Sequence, residues 1–173
     1  VPPVENLWKY TKMGFDLVII DHHEILGKLP SASIIVDPKQ ENDEYPFKKL
    51  AAVGLVFKLC EEILGSKMTS LLRNNFLELV ALATIADMMP QEEDNLKMTE
   101  EGLRHLKGSS RPGIKAFFAL KIVKNSDSIR QITQKIISIL NSSESCGHLN
   151  DVYLLLSSYS LEDAKKIVKE LVK

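Results

Sequence analysis

The sequence predicts an α/β fold in which part of a doubly wound parallel sheet is followed by a mostly helical half. Two short β-branched runs lie near the N-terminus, and helical spacing of apolar residues dominates after Lys48. The 173 residues suffice for one domain with its own core. We therefore expect residues 1–47 to form the α/β part of one domain and residues 48–173 its helical part.

The α/β part is predicted from two apolar runs that end in polar residues. Residues 4–13 show helical spacing, and Gly14 ends that helix. Residues 15–20 then form a short β-branched run that stops at Asp21-His22-His23, and residues 33–36 form a second run. Runs this apolar are typical of parallel strands buried on both faces.

The helical half is predicted from periodicity and from glycine breaks. Gly65 closes the first long helix, Asn95 is placed as an N-cap, and residues 108–113 form the clearest break. Residues 141–145 are expected to be a polar loop. The predicted helices cover residues 50–64, 71–85, 95–106, 114–123, 129–140, 152–159 and 161–172.

Composition excludes some functional classes and leaves others open. The net charge of −1 gives no global basic signal for nucleic acid, although a local basic groove would not register in that sum. Lys48, Lys49 and Lys58 could line such a groove or could simply be solvated. Cys60 and Cys146 form no CxxC pair, which disfavours a disulfide scaffold or zinc knuckle and fits a reducing cytoplasm. No apolar run suggests a membrane span.

Asp21, His22 and His23 follow directly after a predicted strand. Open parallel sheets bind ligands at the carboxyl ends of their strands. A carboxylate and two neutral imidazoles there could bind Mn²⁺ or Zn²⁺. The alternative is that Asp21 caps a turn and both histidines face solvent.

Asp87 ends an apolar helix shortly before Pro90. A carboxylate at the end of a buried element is costly unless it is paired or binds a metal. An exposed helix-end Asp is the alternative, and the negative end of the helix dipole makes it unfavourable. We therefore expect a cation beside Asp87.

Several segments, in family order and over most of the chain, resemble the DHH phosphoesterases. Residues 14–23, Gly-Phe-Asp-Leu-Val-Ile-Ile-Asp-His-His, resemble the third motif of that family. Residues 83–90, Ala-Thr-Ile-Ala-Asp-Met-Met-Pro, resemble its fourth motif. The RecJ branch of exonucleases in particular is matched by four further segments: residues 29–30, 35–38, 45–54 and 111–114.

The resemblance implies a nuclease that uses two Mn²⁺ or Mg²⁺ ions to digest single-stranded DNA or RNA from 5′ to 3′. By this resemblance, His22 and Asp87 would bind metal directly. His23 would face the scissile phosphate, and Asp21 would either bind metal or orient its neighbours. Two ions about 3.5–4 Å apart activate a water and stabilise the attacking and leaving oxygens. The resemblance also implies replication or repair proteins as partners.

The sequence departs from the family pattern at two places. The first and second motifs, which supply aspartates, are not in it, and the resemblance places them N-terminal to Val1. An Arg expected in a substrate-contacting loop is also absent. An ungapped match puts His148 at that position, whereas Asn141 matches the Asn of that loop if an insertion follows. His148 would be either a phosphate contact or an ordinary loop residue.

Two other functions stay open. A nano-RNase or cyclic-dinucleotide phosphodiesterase belongs to the same superfamily, but residues 45–49, Tyr-Pro-Phe-Lys-Lys, argue against it. A non-catalytic scaffold of a replication complex is favoured by the absent Arg and opposed by the retained Asp87 and residues 21–23. We predict that the chain holds only part of a two-metal site, that the rest lies in an N-terminal part of the same protein, and that this fragment is inactive alone.

Overall fold

The computed structural model describes residues 7–27, 29–145 and 149–172. A two-stranded sheet is followed by a series of helices, which confirms the predicted α/β class with a helical half. The division at residue 47 stays a prediction. No helix within the described part of the chain is long and apolar enough to span a membrane. The elements are α1 (Leu7–Lys12), β1 (Val18–Ile20), β2 (Ile34–Val36), α2 (Ala52–Leu64), α3 (Ser70–Ala86), α4 (Glu93–Leu106), α5 (Pro112–Ala119), α6 (Ile129–Ser145), α7 (Leu149–Leu156) and α8 (Leu161–Leu171).

The sheet pairs β1 with β2 in parallel, with Ile19 opposite Ile35. The prediction that these strands are buried on both faces is wrong, because Val18 is 53% exposed and Ile34 is 54% exposed. The physical reason is that the described sheet has only two strands, so little of it is covered. Ile20 does pack against other apolar side chains, and this anchors the carboxyl end of β1.

Helix ends agree with the sequence in some places and differ in others. Gly65 ends α2 with a positive φ of 47°, as predicted. Asn95 is not an N-cap: it is buried inside α4, accepts a hydrogen bond from the amide of Ala51 and donates to the carbonyls of Lys49 and Pro90. Residues 141–145 are not a loop but the last turn of α6. At Asn95 the partners are backbone groups of Lys49, Ala51 and Pro90, which the local sequence does not show.

Two apolar clusters hold the fold together. The helical core lies among α3 to α8 and contains Leu82, Leu106, Ile114, Phe117, Ile132, Ile136, Leu155 and Val168. The junction core contains Leu50, Leu55, Phe57, Leu77, Val80 and Met98. Ile20 and Tyr45 pack against the junction core from the sheet side. The junction core therefore fixes the end of β1 relative to α3.

A buried polar network joins α3 to the later helices. Ser109 donates a hydrogen bond of 2.6 Å to the buried Glu78. The Arg111 guanidinium donates to the carbonyls of Asn75 and Leu156. Burial raises the pKa of Glu78 and outweighs the opposite effects of the Ser109 hydrogen bond and the Arg111 charge. Arg111, which lies in a segment that resembles the RecJ branch, therefore links α3 to α7 through hydrogen bonds.

Candidate metal centre

The Asp21-His22-His23 loop begins where β1 ends. The amide of Asp21 still donates to the carbonyl of Val36, which extends the sheet pairing by one residue. Oδ1 of Asp21 then accepts hydrogen bonds from the amides of His22, at 2.8 Å, and His23, at 3.3 Å. A carboxylate that accepts from the next two amides forms a tight local turn. The first residue of this loop therefore determines its local conformation.

The same carboxylate orients the exposed His23 ring. Nδ1 of His23 lies 2.6 Å from Oδ1 of Asp21. Burial alone would raise the pKa of Asp21, but the hydrogen bonds from His23 and from two backbone amides outweigh it, so the pKa lies below its ordinary value. An ionised carboxylate only accepts hydrogen bonds, so Nδ1 of His23 carries a proton. Nε2 is left at the far side of the ring.

Asp87 stands at the C-terminal end of α3, and the helix ends in a Schellman motif. The amide of Met88 donates to the carbonyl of Ile85, and the amide of Met89 donates to the carbonyl of Thr84, both at 3.1 Å. Met88 takes the left-handed conformation that this motif requires, with φ of 52°. The motif stops the helix at Asp87 and leaves that side chain at the rim of the fold.

The structure brings His22 and Asp87 together, as predicted, although 64 residues lie between them in the sequence. Nε2 of His22 lies 3.2 Å from Oδ2 of Asp87, with the His22 side chain 10% exposed and that of Asp87 55% exposed. One ligand atom from each of Asp21, His22 and His23 also lies within 4.8 Å of the others. The rings of His22 and His23 are 4.5 Å apart between centroids. Asp21, His23 and Asp87 therefore all lie close to His22.

The donor set fits a divalent cation. Two ligand atoms that each lie about 2.1 Å from one ion are roughly 3.0 Å apart at a right angle and roughly 3.4 Å apart at a tetrahedral angle. The 3.2 Å between His22 and Asp87 falls inside that interval, and it also suits a direct hydrogen bond. Imidazole with carboxylate is a suitable pair for Mn²⁺, and Mg²⁺ accepts one or two carboxylates together with waters.

Two grooves adjoin this centre. An apolar groove of about 510 Å³ between α3 and α6 has Asp87 and Asn141 in its wall. A second groove of about 710 Å³ has Lys39, Lys48 and Lys49 in its wall, next to Pro90. Each of these lysines also pairs with a carboxylate: Lys39 with Glu24, Lys48 with Asp43 and Lys49 with Glu92.

Some sequence predictions are not met at the site, and some residues were missed. Lys58 does not line the described grooves but pairs with Asp94 and lies over the Tyr45 ring. His148 lies outside the described residues, so its predicted phosphate contact stays a prediction. Lys39 was missed because a single lysine in a predicted turn gives no sequence signal for substrate binding. Only the fold places it at the groove.

Comparison with known proteins agrees with this fold. Residues 2–84 match the DHH family, N-terminal domain. The single-stranded-DNA-specific exonuclease RecJ of Bacillus subtilis (strain 168) is 40% identical over 109 residues, which are 63% of this chain and 13% of that protein. The RecJ of Escherichia coli (strain K12) is 32% identical over 120 residues, or 60% of this chain and 20% of that protein. The chain thus spans a small part of these relatives.

Solved structures extend the similarity to nearly the whole chain. RecJ from Thermus thermophilus in complex with Mn²⁺ superposes with a TM-score of 0.80 at 20% identity, covering 99% of this chain and 26% of that one. An exonuclease RecJ bound to manganese gives 0.76 at 24% identity, covering 98% and 43%. Residues 2–84 therefore match the DHH family, and the fold of nearly the whole chain is that of the RecJ structures.

Proposed function

We propose that this chain is part of the catalytic core of a metal-dependent exonuclease that hydrolyses phosphodiester bonds of single-stranded nucleic acid. The observation that carries the proposal is the 3.2 Å approach of His22 and Asp87 at the carboxyl end of β1. The RecJ relatives are exonucleases specific for single-stranded DNA, and related RecJ structures hold Mn²⁺ or Mg²⁺.

His22 and Asp87 would hold a Mn²⁺ or Mg²⁺ ion between them. Such an ion, when bound, activates a water and stabilises charge on the phosphate oxygens. The buried position of His22 supports a ligand role, because a buried polar ring is costly without a fixed partner. Asp21 is better suited to orient the loop than to bind metal, since its Oδ1 already accepts from His23 and from two amides.

His23 would act on the substrate rather than on the ion. Its Nδ1 proton is held by Asp21, so the ring is fixed and Nε2 is presented outward. When Nε2 is protonated as well, the resulting imidazolium donates a hydrogen bond from Nε2 to a phosphate oxygen and stabilises charge that develops there. Lys48 and Lys49 would support the nucleic-acid backbone in their groove, since exposed ion pairs of lysine contribute little and exchange readily for phosphate.

The site in this sequence is expected to be incomplete. A two-metal centre must neutralise four positive charges, and Asp21 and Asp87 offer two negative charges at most. The aspartates of the first two family motifs would supply the rest from an N-terminal part of the protein. DNA is the substrate class that the relatives favour, and RNA is an alternative. Replication or repair proteins would be the partners, and the cytoplasm the location.

A nuclease assay with Mn²⁺ on short single-stranded DNA tests this proposal. It compares the 173-residue chain with one extended N-terminally through both absent motifs. We expect metal-dependent digestion by the extended chain and none by the short one. Asp87→Asn in the extended chain should abolish digestion. Asp127→Asn, which removes the same charge far from the site in sequence, is the control and should not. An inactive extended chain would point to the non-catalytic scaffold, and an active short chain would contradict the incomplete site.

A further inference from the structure

A third groove, between the end of α3 and α4, lies beside Asp87 and has no role in the site described above. Its volume is about 380 Å³. Ligand pockets range from about 300 to 1,000 Å³, so this groove suits one small planar group. Its wall is mainly apolar and includes Ile85, Met88, Met89, Leu96, Thr99 and Leu103.

Met88 stands at the rim of this groove in a strained conformation. It fills the left-handed position of the Schellman motif, where glycine is the unstrained residue, and it is 90% exposed. A non-glycine side chain in this position carries a cost in stability, and a side chain this exposed recovers little of it through packing. The residue next to Asp87 therefore presents a flexible, polarisable thioether to solvent at the expense of fold stability.

Thr99 supplies an independent observation. Its side chain is buried and lines the groove, with the residue only 4% exposed, yet its Oγ1 has no hydrogen-bond partner within the described structure. Buried hydroxyls are normally hydrogen-bonded, because an unpaired one keeps its full desolvation penalty. The oxygen itself is closed to solvent, so a ligand reaches it only when the Thr99 side chain turns about χ1. The wall also includes Gln91 and Glu100. A mainly apolar groove with one unpaired hydroxyl behind its wall suits a flat heteroaromatic ligand that packs against it and gains one hydrogen bond.

We propose that this groove is a base-binding subsite for single-stranded nucleic acid. One nucleobase would pack against Met88 and Met89 and hydrogen-bond to Thr99 once that side chain has turned towards the groove, while its backbone passes the His22–Asp87 centre. The inference rests on the proposed function, because the neighbouring centre is what identifies the ligand as nucleic acid. Stacking on side chains tolerates every base, so the subsite favours single strands without reading sequence.

The test uses Met88→Gly and the matched control Lys121→Gly in the full-length protein. Lys121 occupies the same left-handed position in a second Schellman motif at the end of α5, with φ of 57°, far from the site in sequence. Both substitutions relieve the same backbone strain and should raise the melting temperature by about 2–4 °C. Affinity is measured by fluorescence anisotropy for a short oligothymidylate and for the same strand with abasic positions.

Met88→Gly should weaken binding of the oligothymidylate about three- to tenfold and leave binding of the abasic strand unchanged. Lys121→Gly should change neither. Equal weakening for both strands, or no weakening for either, would overturn the subsite. If the unaltered protein binds no single strand at all, the proposed function fails, and the subsite falls with it.

Thr99→Val provides a second measurement with the same pair of strands. Removing an unpaired buried hydroxyl should stabilise the fold, while removing the hydrogen bond to a base should weaken binding of the oligothymidylate alone. A variant that is more stable and binds both strands as tightly as the unaltered protein would show that Thr99 does not contact the base. That result would overturn the hydrogen bond and leave only stacking at Met88 to support the subsite.

Discussion

The sheet part and the helical half use apolar residues in opposite ways. Phe117, Ile132 and Leu155 in the helical half are fully buried among their neighbours. Phe15, Val18 and Ile34 in the sheet part are more than half exposed. The helical half has a closed core, whereas the sheet part has apolar surface that its own strands do not cover. Stability therefore resides in the helices, and the sheet contributes mainly the loop that carries His22.

The largest effect is expected in the helical core. Phe117→Ala should lower the free energy of unfolding by about 3–5 kcal/mol, because it removes a fully buried aromatic ring and leaves a cavity. Tyr159→Ala is the matched control, since that aromatic side chain is fully exposed. Urea unfolding of both variants gives the comparison. Equal midpoints for the two would mean that this core does not hold the helical half together.

Metal binding should join the two parts, because His22 comes from the sheet loop and Asp87 from α3. Mn²⁺ at about a hundredfold excess over its dissociation constant should stabilise the protein by about 2.7 kcal/mol. His22→Ala should remove most of that stabilisation and His23→Ala little of it. Thermal unfolding with and without Mn²⁺ measures the effect, calorimetric titration gives the affinities, and His105→Ala on α4 is the control. Equal loss of Mn²⁺ affinity in His22→Ala and His23→Ala would refute the assignment of metal binding to His22 and phosphate binding to His23.

The buried Glu78 should give the helical half a pH dependence. Its pKa is raised in the folded state, so the folded chain takes up a proton at a higher pH than the unfolded chain does. The free energy of unfolding should therefore rise as pH falls through the raised pKa towards the ordinary value of 4.5. Glu78→Gln should lack this rise, and the exposed Glu62→Gln should keep it. Parallel pH profiles for the unaltered chain and Glu78→Gln would contradict the assignment.

The smallest effect is expected in the sheet. Val18→Thr should change stability by less than about 0.5 kcal/mol, because the side chain is mostly solvated. Val80→Thr, the same change in the junction core, should cost about 1–3 kcal/mol for the buried hydroxyl. In a chain extended N-terminally, Val18→Thr should become costly if further strands cover the sheet. An unchanged small effect there would mean that the sheet face stays exposed.

The sequence by itself determined the order and class of the elements and pointed to the residues of the candidate centre. Gly65 ends α2 because glycine takes positive φ without strain, and the glycine is visible in the sequence. Asp21 forms its turn through the next two amides, so this loop also depends on local chemistry. Asp87 was identified because a carboxylate after an apolar helix needs a partner. These features follow from residues that are neighbours in the chain.

Only the tertiary structure decided where those residues meet and what surrounds them. Asn95 was expected as an N-cap, but its side chain instead accepts a hydrogen bond from the amide of Ala51 and donates one to the carbonyl of Pro90. The strands were expected to be buried, but burial depends on neighbours that the run itself does not specify. Met88 looks like any helix-end methionine until its φ and exposure are known. Periodicity and capping record local preferences, whereas burial, pairing and strain arise from contacts between distant segments.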